Sequence, residues 1–122
     1  MKGIVMAGGS GQRLRPLTCL LPKPMAPFLG KPVMEHALLR LQEAGIQRVG
    51  ATLSYRAEQI QRYFGDRLRY FVEDEPQGTA GSLRAARDFL DESFVVVSGD
   101  ALTDIELGDA IRFHQERGAL AT

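Results

Sequence analysis

Cysteine is almost absent from this 122-residue chain: Cys19 stands alone, so no internal disulfide can form and nothing argues for an exported protein. No apolar run approaches the ~20 residues that a membrane-spanning helix needs. The opening stretch Met1–Gly9 is too short in apolar residues for a signal peptide. The expected setting is the reduced cytoplasm, with no membrane partner. There is no internal repeat, low-complexity tract or linker, and the length allows one domain. No basic stripe interleaved with aromatics occurs and the net charge is zero, which argues against nucleic acid as a partner.

Acid is missing from one end. The first acidic residue is Glu35, and residues 1–40 set six Lys or Arg against it, a net of +5. Residues 41–122 hold nine Arg and fourteen Asp or Glu, a net of −5. An end so free of acids suits an anion. Solvated surface cations are the other reading. The glycines interleaved with these cations favour the anion.

Strand and helix patterns alternate along the chain. Gly3–Ala7 is a short apolar run stopped by glycines, the mark of a buried strand. Residues 8–31, with glycines at 8, 9, 11 and 30 and prolines at 16, 22, 24 and 27, read as one long functional loop. From Pro32, Met34, Ala37, Leu38, Leu41 and Ala44 recur at helical spacing, and Gly45 is placed to stop the helix. Residues 46–53 read as a strand, 57–64 as a short helix closed by Gly65, and Leu68–Glu73 as a third strand. Thr79 is a candidate cap for a helix presenting Leu83, Ala86 and Leu90 to a core. Phe94–Val97 is a β-branched strand running into Ser98-Gly99-Asp100. Residues 107–117 place Leu107, Ala110, Ile111 and His114 on one helical face. The order βαβαβαβα predicts an α/β, Rossmann-like, mostly parallel sheet with helices on both faces. A further strand is expected from Ala119. Because the chain stops at Thr122 inside it, residues 1–122 read as part of a longer protein, and an unpaired sheet edge would favour self-association.

The loop Gly8-Gly9-Ser10-Gly11-Gln12-Arg13-Leu14 directly follows the first strand. Ligands of open α/β sheets sit beyond the carboxyl ends of strands, and glycines there let backbone N–H groups approach a phosphate. The P-loop spacing and its Lys-Ser/Thr are absent, and Leu14 stands where a dinucleotide fingerprint needs its third glycine. Arg13 offers a planar fork of donors, and Lys23 a compact charge between Pro22 and Pro24. A triphosphate would meet amides, Arg13 and Lys23 together; a glycine-rich turn with exposed cations is the bland alternative. Asp100, at the end of a buried strand, can hold Mg²⁺ against a phosphate or simply cap the following turn. Cys19 reads as apolar filler, and neither His36 nor His114 has a second ligand at metal spacing.

The block Gly8–Thr18 followed by Pro22-Lys23-Pro24-Met25 resembles the signature of the sugar-phosphate nucleotidyltransferases, among them the mannose-1-phosphate guanylyltransferases and their glucose-1-phosphate relatives. Glu75-Pro76-Gln77-Gly78-Thr79-Ala80-Gly81-Ser82 and Val97-Ser98-Gly99-Asp100 are similar to later blocks of that family, so the resemblance runs through the whole chain. It implies joining of a nucleoside triphosphate to a sugar 1-phosphate with release of pyrophosphate. It implies that Arg13 stabilises the departing pyrophosphate and Lys23 the phosphates at the reacting centre. Ala7, Gly8, Gly9 and Gly11 would wrap the nucleotide, Gly78, Thr79 and Gly81 would pack on the nucleoside, and Asp100 would bind Mg²⁺. Glu73 falls where the family reads the base. A carboxylate only accepts hydrogen bonds, which suits the adjacent donors of guanine and hence GTP, while a plain exposed glutamate in the acidic run 73–75 is the other reading. Full members of the family are much longer. The resemblance therefore implies an N-terminal nucleotide-binding part without the sugar pocket, a second metal-binding aspartate and a further lysine, with little turnover alone; a homo-oligomer is expected. A nucleotide-binding regulatory module without chemistry, or a transferase of another substrate on the same fold, are the competing readings.

Overall fold

The computed structural model describes residues 1–75 and 77–122. A four-stranded parallel sheet forms the middle layer. Its strands are β1 (Lys2–Ala7), β4 (Val49–Leu53), β5 (Arg69–Val72) and β6 (Phe94–Ser98), in the order β5-β4-β1-β6. Two short strands, β2 (Pro27–Phe28) and β3 (Lys31–Pro32), pair antiparallel as a separate ribbon. The helices are α1 (Leu17–Leu20), α2 (Val33–Glu43), α3 (Ala57–Phe64), α4 (Gly78–Ala85) and α5 (Leu107–Arg117).

Side-chain alternation along β1 divides the core. Val5 and Ala7 join the cluster made with Met34, Leu38 and Leu41 of α2 and Ile60 and Phe64 of α3. Ile4 faces the other way, onto Ala86 and Phe89 beyond α4. This split follows from the handedness of parallel crossovers. The chain steps outward from β1 through β4 to β5, which sends α2 and α3 to one face. It then returns past β1 to β6, which sends α4 to the other. The sheet with helices on both faces is as the sequence predicts.

Several boundaries differ. The strand expected over 46–53 begins at Val49, because Ile46 turns back and its amide donates to Leu41 O at 3.0 Å. The third strand is Arg69–Val72 within the expected 68–73. The helix expected from Thr79 through Leu90 starts at Gly78 and ends at Ala85, after Gln77 as N-cap and without a side-chain cap, so Thr79 does not cap it. Its apolar face continues past the helix because Ala86, Phe89 and Leu90 pack on the core from turns. In α5, Leu107 and Ile111 reach the core, whereas Ala110 is exposed. No strand forms from Ala119: Leu120 is fully exposed, and its neighbours have no ladder to join. The long loop 8–31 holds more order than expected, with short 3₁₀ turns at Gln12–Leu14 and Lys23–Met25 in addition to α1 and the ribbon.

One ion pair ties α2 to the turn after α3. Arg67 donates to both Glu35 oxygens at 2.8 Å, and this fork, with the charges of Arg67 and Lys31, holds the Glu35 carboxyl below its ordinary range despite burial. A depressed folded pKa stabilises above the unfolded value of ~4.3 and is lost as pH falls through the folded value. Glu35→Gln is therefore expected to cost about 2 kcal/mol at pH 7, less than for a fully buried pair because Arg67 remains partly in water. Urea midpoints from pH 3 to 7 should fall less steeply on the acid side in the variant than in the native chain.

Candidate functional site

β1 and β6 lie side by side where the strand order reverses, and their carboxyl ends run into Gly8–Leu14 and Gly99–Asp100. A reversal of this kind marks the crevice at the strand ends where α/β sheets take their ligands. A cavity of about 660 Å³ occupies it. Its lining includes Gly8, Gly9, Gly11, Arg13, Lys23, Thr79 and Asp100, drawn from four separate stretches of the sequence.

Glycine is needed at two points. Gly11 has φ +60°, and a Cβ there would lie 2.7 Å from the Thr18 methyl. The Thr18 hydroxyl donates to Gly11 O at 2.7 Å, and the Leu14 amide donates to the same carbonyl at 3.0 Å. Gly99 has ordinary backbone torsions but no room: a Cβ would meet Met6 O at 3.0 Å and Val5 at 3.1 Å. Its amide donates to Met6 O at 2.8 Å, which presses the turn carrying Asp100 against the end of β1. Gly11→Ala is expected to destabilise the chain by about 1–2 kcal/mol through left-handed strain and the clash with Thr18. Tripolyphosphate binding should weaken at least tenfold, measured calorimetrically at a temperature where the variant remains folded.

Lys23 Nζ lies 2.8 Å from Asp100 Oδ2, each side chain about one-third exposed. The Ser98 hydroxyl donates to the other oxygen of Asp100 at 2.5 Å. Burial pushes the Asp100 carboxyl up, but the hydrogen bonds from Lys23 and Ser98 with the Lys23 charge outweigh it, leaving the pKa below the ordinary carboxylate value. Asp100 is thus an anion at neutral pH. Among the described residues no carboxylate lies within ion-pair distance of Arg13, so its fork of donors remains open to a ligand.

Other candidates sit apart. Ala7 is 1% exposed and belongs to the core beneath the loop. Glu73 and Gly81 line a second depression with Asp74, Glu75 and Gln77, outside the main crevice. The Ser82 hydroxyl donates to Glu73 Oε2 at 2.8 Å, while Glu73 Oε1 is buried and has no partner among the described residues. Gly78 opens α4 with φ +74° and lines neither depression. Pro76 of the Glu75–Ser82 block lies outside the described residues. Ser98 and Thr18 were missed by sequence reasoning. For Ser98 the signal was its place two residues before Asp100; for Thr18 no local signal exists, because its partner Gly11 is brought to it by the fold of the loop.

A glycine-lined crevice at the reversal point of a parallel sheet, with two cations and one carboxylate on its walls, is chemically suited to a phosphate-bearing ligand. Residues 2–122 match the Nucleotidyl transferase family, and the chain belongs to it. It is 39% identical to the UTP–glucose-1-phosphate uridylyltransferase of Synechocystis over all of this chain and 36% of that protein. It is 37% identical to the mannose-1-phosphate guanylyltransferase catalytic subunit beta of Danio rerio, again over the whole chain and 37% of the relative. The crystal structure of HddC from Yersinia pseudotuberculosis complexed with GMP-PN aligns with TM-score 0.81 and 29% identity, over 93% of this chain and 53% of that one. The chain thus spans little more than a third of these curated relatives.

Proposed function

We propose that the chain is the nucleotide-binding part of an enzyme that joins a nucleoside triphosphate to a sugar 1-phosphate. The observation that carries this reading is the meeting of Gly8–Arg13, Lys23 and Asp100 in one crevice. In the reaction an oxygen of the sugar phosphate attacks the α-phosphorus, the bond from that phosphorus to the bridging oxygen of the β-phosphate breaks, and pyrophosphate leaves. The nucleophile is already an anion, so alignment and charge neutralisation carry the catalysis. Loop amides and Arg13 hold the β- and γ-phosphates, and Lys23 faces the α-phosphate.

Asp100 suits Mg²⁺. No group of three or more His, Cys, Asp or Glu gathers among the described residues, so there is no all-protein cage. A single anionic carboxylate sharing the ion with substrate phosphates is the usual way Mg²⁺ is bound. The ion would neutralise phosphate charge beside Asp100.

GTP and mannose 1-phosphate are the substrates we favour, in a cytoplasmic homo-oligomer. Support for guanine rests on Glu73, whose buried Oε1 meets no donor among the described residues and would accept from the base. Uridylyl, thymidylyl or adenylyl transfer to glucose 1-phosphate are the alternatives within the same chemistry. A nucleotide-binding module without turnover is the reading from another class; sugar-nucleotide synthesis by the full-length protein separates the two. The isolated chain is expected to bind nucleotide with little turnover.

The test is a thermal-shift panel of GTP, ATP, dTTP, UTP and CTP with Mg²⁺, with Arg13→Ala in parallel. A ligand at a hundred times its Kd adds about 2.7 kcal/mol, a rise of many degrees for a domain of this size. GTP should give the largest rise, and Glu73→Gln should erase its lead over dTTP. No rise with any triphosphate would refute the nucleotide site, and a larger rise with UTP or dTTP would refute the guanine assignment alone.

A further inference from the structure

α1 is a single helical turn, so its last carbonyls have no partners within the helix. Three of them are received from the corner between β4 and α3 and from the first turn of α3. Tyr55 Oη donates to Thr18 O at 2.6 Å, Arg56 Nη2 to Cys19 O at 2.6 Å, and Gln59 Nε2 to Leu20 O at 2.9 Å. Arg56 Nε donates in turn to Tyr55 Oη at 3.0 Å, so two of the three donors are themselves joined. Arg56 does this from a left-handed backbone, φ 51° and ψ 42°, which is unusual for a residue with a side chain.

None of the three lines the crevice. Their effect passes through Thr18, which is 1% exposed. Its carbonyl is held by Tyr55, and its hydroxyl holds the Gly11 carbonyl. A chain of hydrogen bonds therefore runs from Arg56 through Tyr55 and Thr18 to the glycine loop. Lys23 packs at the same point, with its Cβ 3.2 Å from where a Cβ on Gly11 would stand. Shift α1, and the loop that presents its amides to the crevice shifts too.

We infer that Tyr55, Arg56 and Gln59 are positioning residues that clamp α1 and thereby set the phosphate-binding shape of the Gly8–Arg13 loop. The inference rests on the proposed nucleotide site and adds to it residues from a corner that touches no ligand. Such a clamp acts by preorganisation: a loop already in its bound shape loses less freedom when the polyanion arrives.

Tyr55→Phe removes one hydroxyl and keeps the ring. Arg56→Gly keeps the left-handed backbone and removes the guanidinium, while Arg56→Lys retains a cationic donor. The probe is inorganic tripolyphosphate, titrated calorimetrically into the 122-residue chain well below the melting temperature of each variant. Tyr55→Phe and Arg56→Gly should each weaken binding about tenfold, their double variant should lose no more than a further factor of about three, and Arg56→Lys should recover most of the loss. Amide NMR signals of Gly9, Gly11 and Leu14 should move in the two weakened variants. Lower melting temperatures with unchanged tripolyphosphate affinity would overturn the clamp and leave the nucleotide site standing. Absence of binding by the native chain would overturn both.

Discussion

Lys23→Ala is expected to weaken binding of a Mg²⁺-bound nucleoside triphosphate by ten- to a hundredfold. A hydrogen bond to a charged group contributes about 1.5–3 kcal/mol, and each 1.4 kcal/mol is a factor of ten. Lys23 belongs at the upper end because its backbone is held. Pro22 and Pro24 flank it and are buried, and the amides of Met25 and Ala26 close tight turns onto Pro22 O and Lys23 O. The ammonium therefore needs little ordering to meet a phosphate. The substitution also strips Asp100 of the partner that most lowers its pKa, while the Ser98 hydrogen bond stays in place. Calorimetric titration at pH 7.5 measures the loss of affinity. An affinity within twofold of the native value would contradict the role given to Lys23.

Asp100→Asn should act in two opposite directions. With Mg²⁺ present, nucleotide binding weakens about tenfold, because an amide cannot neutralise the ion. With Mg²⁺ removed by EDTA, binding strengthens several-fold. In the native chain the metal-free nucleotide must first draw Lys23 away from its 2.8 Å contact with Asp100; in the variant that cation is free. The ratio of affinities with and without Mg²⁺, well above one in the native chain, should fall toward one. If the variant loses affinity equally in both conditions, Asp100 serves the shape of the turn and not the ion. Ser98→Ala, which removes only the 2.5 Å hydrogen bond to Asp100, should change this ratio by a small factor and so provides the graded comparison.

Much of the architecture is legible in the residues themselves. β1, α2, α3 and β6 lie close to where apolar spacing and glycine stops put them: α2 and α3 each bury one stripe, and β1 is an apolar run buried on both faces. Errors fall where burial and secondary structure part company. Ile46 is 2% exposed yet belongs to the turn before β4, and Ala86 and Phe89 are buried after α4 has ended. Apolar periodicity marks what is inside, and these residues reach the inside from turns. The 8–31 segment failed differently. Its one-turn helix α1 is held by Tyr55, Arg56 and Gln59, a contact some 40 residues away in sequence that no local pattern contains.

The site divides in the same way. Glycines after a first strand and cations between prolines are visible in order along the chain. That Asp100 stands 2.8 Å from Lys23 depends on β6 lying beside β1 instead of beyond β5, and strand order is not written in spacing. Glu73 shows the converse. It is near the end of β5, two strands from β1, so the residue that resemblance links to the base lies outside the glycine-lined crevice.

Among the described residues β6 is the last strand on its side of the sheet. The same strand lends Val96, Val97 and Ser98 to the crevice wall. A polypeptide that paired with this margin would touch the same strand that walls the crevice. Its grip and the ligand's would then be reciprocal: whatever factor the one adds to the other's affinity must be returned in equal measure.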